Sequence, residues 1–255
     1  MAVGLLLIWL AIAKQYEPLL LLPIGAGALL ANVPLSPLVG EGGALTALYT
    51  MGVENELFPL LIFVGIGALT AFGPLLENPK MVFLGAAGQF GIFLTLLLAL
   101  ALGFTHNQAA SIGIIGAIDG PTSIYVSSLL APELLGPITV AAYSYMSLVP
   151  IIMPPVIFAL TSKEERAIRM PYSSRKISRR TRIMFPIIIT VLVGTLVPFA
   201  TPLIGMLMLG NLMKESGAVE RLTKASSNEI ANTVTLLLGL AIGSTMVGTD
   251  FLKTS

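Results

Sequence analysis

Gly113-Ile114-Ile115-Gly116-Ala117-Ile118-Asp119-Gly120-Pro121-Thr122 sits at the centre of an otherwise apolar stretch, His106–Leu130. Its outline suits a membrane, yet its middle carries a carboxylate followed directly by Gly-Pro. Proline lacks an N–H and clashes with the preceding turn, so a continuous helix is disfavoured there. A charge at mid-membrane costs about 2.5–3.5 kcal/mol on insertion scales, and such residues usually mark an ion or proton path. A broken helix also exposes backbone carbonyls. Carbonyl oxygens with one carboxylate suit a hard cation such as Na⁺, and transporters place ion sites at discontinuous helices near the midplane. Asp119, Gly120 and Thr122 are therefore the candidate cation ligands, with Ser123 as a further hydroxyl. The same residues also read as a helix start, Asp119 capping a helix that begins at Pro121. A half-helix that starts inside the membrane satisfies both readings.

The rest of the chain supports a membrane setting. Of 255 residues, 55% are hydrophobic and only 11% are charged, with mean hydropathy +0.91. Soluble domains carry roughly 25% charged residues. Met81–Leu102 and Met184–Leu209 contain no charged residue, and each is long enough to cross a hydrocarbon core of about 30 Å as a helix. Leu57–Leu76 and Ile138–Leu160 are further spans. The shorter runs Val3–Ala13, Leu19–Val33 and Ile230–Val247 bring the apolar segments to about seven, five of them comfortable spans. Residues 34–56 read as a loop with a weak helix. Continuous apolar runs do not fit the alternating ten-residue strands of a membrane barrel. The expected fold is all-α: a polytopic membrane helix bundle with discontinuous helices, of an inverted-repeat, transporter-like kind.

Eight of the fourteen Lys and Arg residues fall between Lys163 and Arg182, against two acidic residues. Such loops stay on the cytoplasmic side, so 161–183 is read as a basic cytoplasmic loop. Docking a soluble enzyme or anionic headgroups is its other use. There is no cysteine and one histidine, His106, which removes disulfides, thiolate chemistry and multi-His metal sites. No Walker, Rossmann or HExxH pattern occurs, so nothing supports an ATP-driven pump. Net charge is +1, and nucleic acid has no support as a partner.

Tyr143 and Tyr145 lie in the next span. A spacing of two puts them on different sides of a helix. A phenol coordinates a cation through oxygen or relays a proton, and an interfacial aromatic belt is the alternative. His106 reads as interfacial, Gln89 as a hydrogen-bonding group between helices, and Glu133 as solvated.

EPLLLLPIG at 17–25, FGPLLENPKM at 72–81, GAAGQFGIF at 85–93, QAASIGIIGAIDGPTSIYVSSLLAPELLG at 108–136, VAAYSYMSLVPII at 140–152 and LMLGNLMKESG at 207–217 resemble the beta subunit of the sodium-pumping, biotin-dependent decarboxylases. The stretch 108–152 is the most specific. The resemblance implies a membrane subunit that decarboxylates carboxybiotin, consumes a proton and drives Na⁺ outward. The catalytic residues it implies are Asp119, Tyr143 and Tyr145, with Asp119 coupling Na⁺ to the proton. The implied partners are a carboxyltransferase alpha subunit, a biotin carrier protein and a small membrane subunit, within a homo-oligomer in the inner (cytoplasmic) membrane. The residues that would contact carboxybiotin are not read from the sequence. The family's second discontinuous segment, of NPLIG…GVS…R type, is not found, and neither is its earlier chain. Residues 1–255 are therefore read as a membrane domain holding half of the site, with the chain alone expected to be inactive. The alternatives are a secondary ion transporter with a broken-helix site and no decarboxylase, and a scaffold that docks a soluble enzyme.

Overall fold

The computed structural model describes residues 1–169 and 177–248, apart from the side chains at 146, 147 and 150. Asp250, and Arg175 and Lys176 of the basic stretch, lie outside the described residues. Everything described is helix, turn or coil, without a strand. The helices are α1 (Ala2–Ala13), α2 (Pro18–Ala31), α3 (Ala44–Tyr49), α4 (Leu57–Leu69), α5 (Gly73–Glu77), α6 (Val82–Ala101) and α7 (His106–Gly113). They continue with α8 (Gly120–Leu130), α9 (Leu135–Leu160), α10 (Lys163–Arg166), α11 (Arg179–Leu196), α12 (Thr201–Ser216), α13 (Glu220–Ala225) and α14 (Ala231–Ser244). The all-α expectation holds.

Apolar composition sets these helices, and proline and glycine set their ends. Pro18 and Pro121 stand in the first turns of α2 and α8, where a missing N–H costs nothing. Gly217 ends α12 in the left-handed region, at φ 63°. A capping box starts α7: Gln108 N–H donates to Thr105 Oγ1 (3.3 Å), and Thr105 N–H donates to Gln108 Oε1 (3.1 Å). Pro79–Ala101 is long and apolar enough to cross a membrane. So, taken together, is the pair Ala44–Glu54 and Leu57–Leu69, bent by 58° at its break.

Two expected spans are divided. Met184–Leu209 is not one helix, because α11 stops at Leu196, Val197 leaves the helical conformation and Pro198 opens a 3-10 turn before α12. The residue before a proline is steered away from helix, and here it makes a corner between two helices that pack on each other. Leu57–Leu76 shortens to α4 plus the separate α5. The basic stretch also ends early, since α11 already begins at Arg179.

Two glycine-lined crossings hold the bundle. A β-carbon on Gly27 or Gly243 would overlap the backbone of the facing helix, at Leu240 and Ile24 respectively. The same holds for Gly67 and Gly210, against Leu207 and Val64. Small residues let apolar helices approach to backbone contact, which is how helices associate without a hydrophobic driving force. Both crossings are parallel. Along α2 and α14 the contacts advance from Pro23–Gly239 through Ile24–Gly243 to Asn32–Met246. Along α4 and α12 they advance from Gly67–Leu207 to Thr70–Asn211 and Thr70–Lys214. After Gly217 the chain runs back along α4, because Ser226 and Ala231 both face Gly65. A π-helical turn, Ser226–Ile230, joins α13 to α14 there. A sequence echo accompanies the crossings: Leu20-Leu21, Gly25, Gly27-Ala28-Leu29 recur as Leu60-Leu61, Gly65, Gly67-Ala68-Leu69.

Candidate functional site

The broken stretch is a re-entrant hairpin. After α7, the 3-10 turn Ile114–Ala117 leads to Ile118 in the left-handed region (φ 56°), then to Asp119 in extended conformation as the N-cap of α8. The Gln108 side chain at the start of α7 donates to Glu133 Oε1, just beyond α8, at 3.1 Å. The two ends of the segment therefore meet, and 106–130 goes in and comes back rather than crossing. Hydropathy alone reads as a broken span, and the Gln108–Glu133 closure makes it a hairpin.

The depth of the tip follows from α6. That helix has 20 residues, about 30 Å at 1.5 Å per residue. A β-carbon on Gly113 would lie 3.0 Å from Ile92 O, and one on Gly116 3.4 Å from Ile92. Ile92 is at the middle of α6, so the Ile114–Asp119 tip sits about halfway along it.

At the tip, Thr122 Oγ1 donates to Asp119 Oδ2 at 2.6 Å. Both the N–H and the hydroxyl of Ser123 donate to the Asp119 carbonyl at 3.0 Å. Among the described residues, the carbonyls of Ala117 and Ile118 accept no backbone N–H. A carboxylate, a hydroxyl and turn carbonyls thus gather at one point, the oxygen set that a hard cation prefers.

The two tyrosines part as their spacing predicts. Tyr143 is 6% exposed and its ring lies against Gly120, where a β-carbon would overlap it. The charges of Asp119 and Glu17 are near enough to act on its hydroxyl. Tyr145 instead lines a cavity of about 490 Å³ on the other side of the tip, with Gly88, Gly91, Thr95, Gly116 and Ile118. His106 is exposed; Gln89 is exposed and, among the described residues, bonds within its own helix instead of to a neighbour; Glu133 is exposed, as expected, and also accepts from Gln108 across the hairpin base.

Sequence reasoning passed over Tyr125 and Glu56. Tyr125 is 3% exposed on α8, with the Glu56 carboxylate near enough for its charge to act on the hydroxyl and Phe199 edge-on at 6.3 Å. Glu56 precedes α4 at φ 61°, as Glu17 precedes α2 at φ 33°.

The family model for the Na⁺-transporting oxaloacetate decarboxylase beta subunit matches residues 1–255. The chain belongs to that family. It is 52% identical over 251 residues to the methylmalonyl-CoA decarboxylase subunit beta of Veillonella parvula, covering 98% of this chain and 66% of that one. It is 51% identical over 252 residues to the glutaconyl-CoA decarboxylase subunit beta of Acidaminococcus fermentans, covering 99% and 67%. It is 45% identical over 312 residues to the oxaloacetate decarboxylase beta chain of Klebsiella pneumoniae, covering 98% and 72%. The chain thus spans about two thirds of the length of these relatives. Beta subunits of this family are membrane proteins, in keeping with α6, whose long apolar surface is almost wholly uncovered.

Proposed function

We propose that this chain is the membrane subunit of a Na⁺-translocating decarboxylase. It decarboxylates carboxybiotin delivered by a biotin carrier protein, consumes a proton, and exports Na⁺. The carboxyl group is loaded by a carboxyltransferase alpha subunit, and a small membrane subunit completes an assembly in which this chain is itself a homo-oligomer. The observation that carries this reading is the Asp119 carboxylate at the tip of a re-entrant hairpin, halfway along a membrane-length helix. Asp119, Gly120 and Thr122 bind the Na⁺ cargo, with the tip carbonyls. A hard cation takes about six oxygens, and these residues supply part of that shell. Tyr143 and Tyr145 flank the tip and serve the coupled proton step from its two sides.

The basic residues after α9 support a cytoplasmic end for that helix, in a multi-pass protein of the inner membrane. The hairpin base and the start of α9 then face the opposite side. Lys80 before α6, Lys14 between α1 and α2, and Lys214 at the end of α12 all fall on the cytoplasmic side in this arrangement. The two glycine crossings form an inverted repeat. α14 runs with α2 and back along α4, so α2 and α4 are antiparallel while their sequences echo each other.

The test is Asp119→Asn in the assembled complex. Na⁺-dependent decarboxylation of carboxybiotin and ²²Na⁺ uptake into vesicles are both expected to be lost. Wild-type turnover in that variant would reduce Asp119 to a helix cap. A wild-type complex that moves Na⁺ without any carboxybiotin turnover would favour the secondary transporter instead.

A further inference from the structure

Two glutamates outside the tip are placed alike. Glu17 and Glu56 each stand at the N-cap of a helix of the repeated pair, α2 and α4, each in the left-handed region. Neither side chain caps its helix. Neither makes an ion pair among the described residues. The nearest cation in sequence to Glu17, Lys14, lies over the Trp9 ring at 5.6 Å. A left-handed backbone is unusual for a non-glycine residue, and both carboxylates are half-buried without an ionic partner among the described residues. Both features recur at both places.

Their depths differ in sign. Gly136, at the start of α9, lies against Thr245 and Met246, and Met246 O accepts from Asn32 Nδ2 at the end of α2 (2.7 Å). From that level α2 descends antiparallel to α9 to reach Glu17, about 22 Å lower at 1.5 Å per residue. Tyr143 is only seven residues below Gly136, about 10 Å. Glu17 therefore lies on the cytoplasmic side of Tyr143 and the tip. α4 runs the other way, so its N-cap Glu56 lies towards the opposite face. There it meets Tyr125, about a turn and a half from Asp119 towards the hairpin base. The core joins these parts, since Tyr143 shares one cluster with Leu20, Leu21 and Ile24 of α2, and α4 packs on α8.

We propose that Glu17 and Glu56 are access carboxylates that attract Na⁺ to the Asp119 site from the cytoplasmic and the opposite membrane face respectively, Glu17 from below Tyr143 and Glu56 from the side of Tyr125. This rests on the decarboxylase-pump reading above. They act on the cation through charge and are positioning residues, not catalytic ones. The negative field of Asp119 and Glu17 on Tyr143, and of Glu56 on Tyr125, agrees with that placement.

The experiment reconstitutes the assembled complex in vesicles with the basic loop outward and varies Na⁺ separately on each side. Glu17→Gln is expected to raise the outside Na⁺ needed for half-maximal decarboxylation about threefold to tenfold, the scale of one unit charge acting at several ångströms in partly solvated protein. This shift exceeds its effect on the maximal rate, and Glu17→Asp recovers most of it. Glu56→Gln is expected to change inhibition by Na⁺ from the inside by a similar factor and to spare the outside half-saturation. Shifts from both variants on the same side overturn the proposal. So does a fall in maximal rate with unchanged half-saturation on both sides, the signature of a purely structural role. A wild-type complex indifferent to Na⁺ on either side would refute the pump reading itself.

Discussion

Gly120→Ala probes the contact on which the site geometry depends. The new methyl falls inside the Tyr143 ring, and Tyr143, 6% exposed in the core cluster, has little room to move. Overpacking of this kind costs about 1–3 kcal/mol. Against it stands a gain of about 0.4–1 kcal/mol, because alanine has less freedom to lose in the unfolded chain where its backbone fits. The net expectation is a loss of about 1–2 kcal/mol, with Tyr143 pushed away from Asp119. Gly85→Ala is the control, since nothing lies within 4 Å of its added β-carbon and only the gain applies. Thermal unfolding of the detergent-solubilised complex reads the stability, and carboxybiotin decarboxylation against Na⁺ reads the site. Adding Tyr143→Leu to Gly120→Ala removes the outer ring atoms, and is expected to restore stability without restoring turnover. If Gly120→Ala is as stable as Gly85→Ala and keeps the wild-type Na⁺ response, the packing of α9 on the hairpin tip is wrong.

Thr122→Val removes the hydroxyl that donates to Asp119. A hydrogen bond to a charged group is worth about 1.5–3 kcal/mol, so half-saturating Na⁺ should shift by at least tenfold while Thr122→Ser stays near wild type. Asn211 is 1% exposed and donates to Thr70 O at 3.0 Å; Asn211→Ala should lower stability by about 1–2 kcal/mol and leave the Na⁺ half-saturation unchanged. The chain has no cysteine, so single introduced cysteines report topology directly. Gly103→Cys and Glu133→Cys should react with an impermeant thiol reagent from the same membrane face, and Ser162→Cys from the other. Labelling of the first two from opposite faces would make 106–130 a broken span instead of a hairpin.

Sequence reasoning reached Asp119 because a carboxylate followed by Gly-Pro in an apolar run is a local signal, and the N-cap and mid-membrane readings turn out to be compatible. It reached the separation of Tyr143 from Tyr145 for the same reason, since helical periodicity is local. The hairpin was out of reach because a span broken in the middle and a re-entrant loop have the same hydropathy. Only the meeting of Gln108 with Glu133, 25 residues apart, distinguishes them. The division of Met184–Leu209 was legible in principle from Val197-Pro198, but composition averaged over the run concealed it. Glu17 and Glu56 stood in view as ordinary polar breaks. The echo between 20–29 and 60–69 was the signal that pairs them, and it acquires meaning only once α2 and α4 are seen to cross their partners in the same way.

How the hairpin tolerates Asp119 bears on what it can bind. The carboxylate costs about 2.5–3.5 kcal/mol at mid-membrane. The Thr122 hydroxyl returns about 1.5–3 kcal/mol as a hydrogen bond to a charged group, and the adjacent N-terminus of α8 about 0.3–1 kcal/mol through its partial positive charge. These terms offset much of the cost of placing a carboxylate at the tip. A site that required a cation to fold would hold it too tightly to release it. The same hairpin also turns the opposite pole towards the tip: the 3-10 end of the α7 arm presents the Ala117 and Ile118 carbonyls, the partly negative end of a helix. A cation arriving there meets carbonyl oxygens from one arm and the carboxylate from the other, while the α8 N-terminus keeps that carboxylate from binding it irreversibly. Reversible occupancy of this kind is what a translocating site needs, and it arises because two half-helices meet end to end at Asp119 where a continuous helix would offer neither pole.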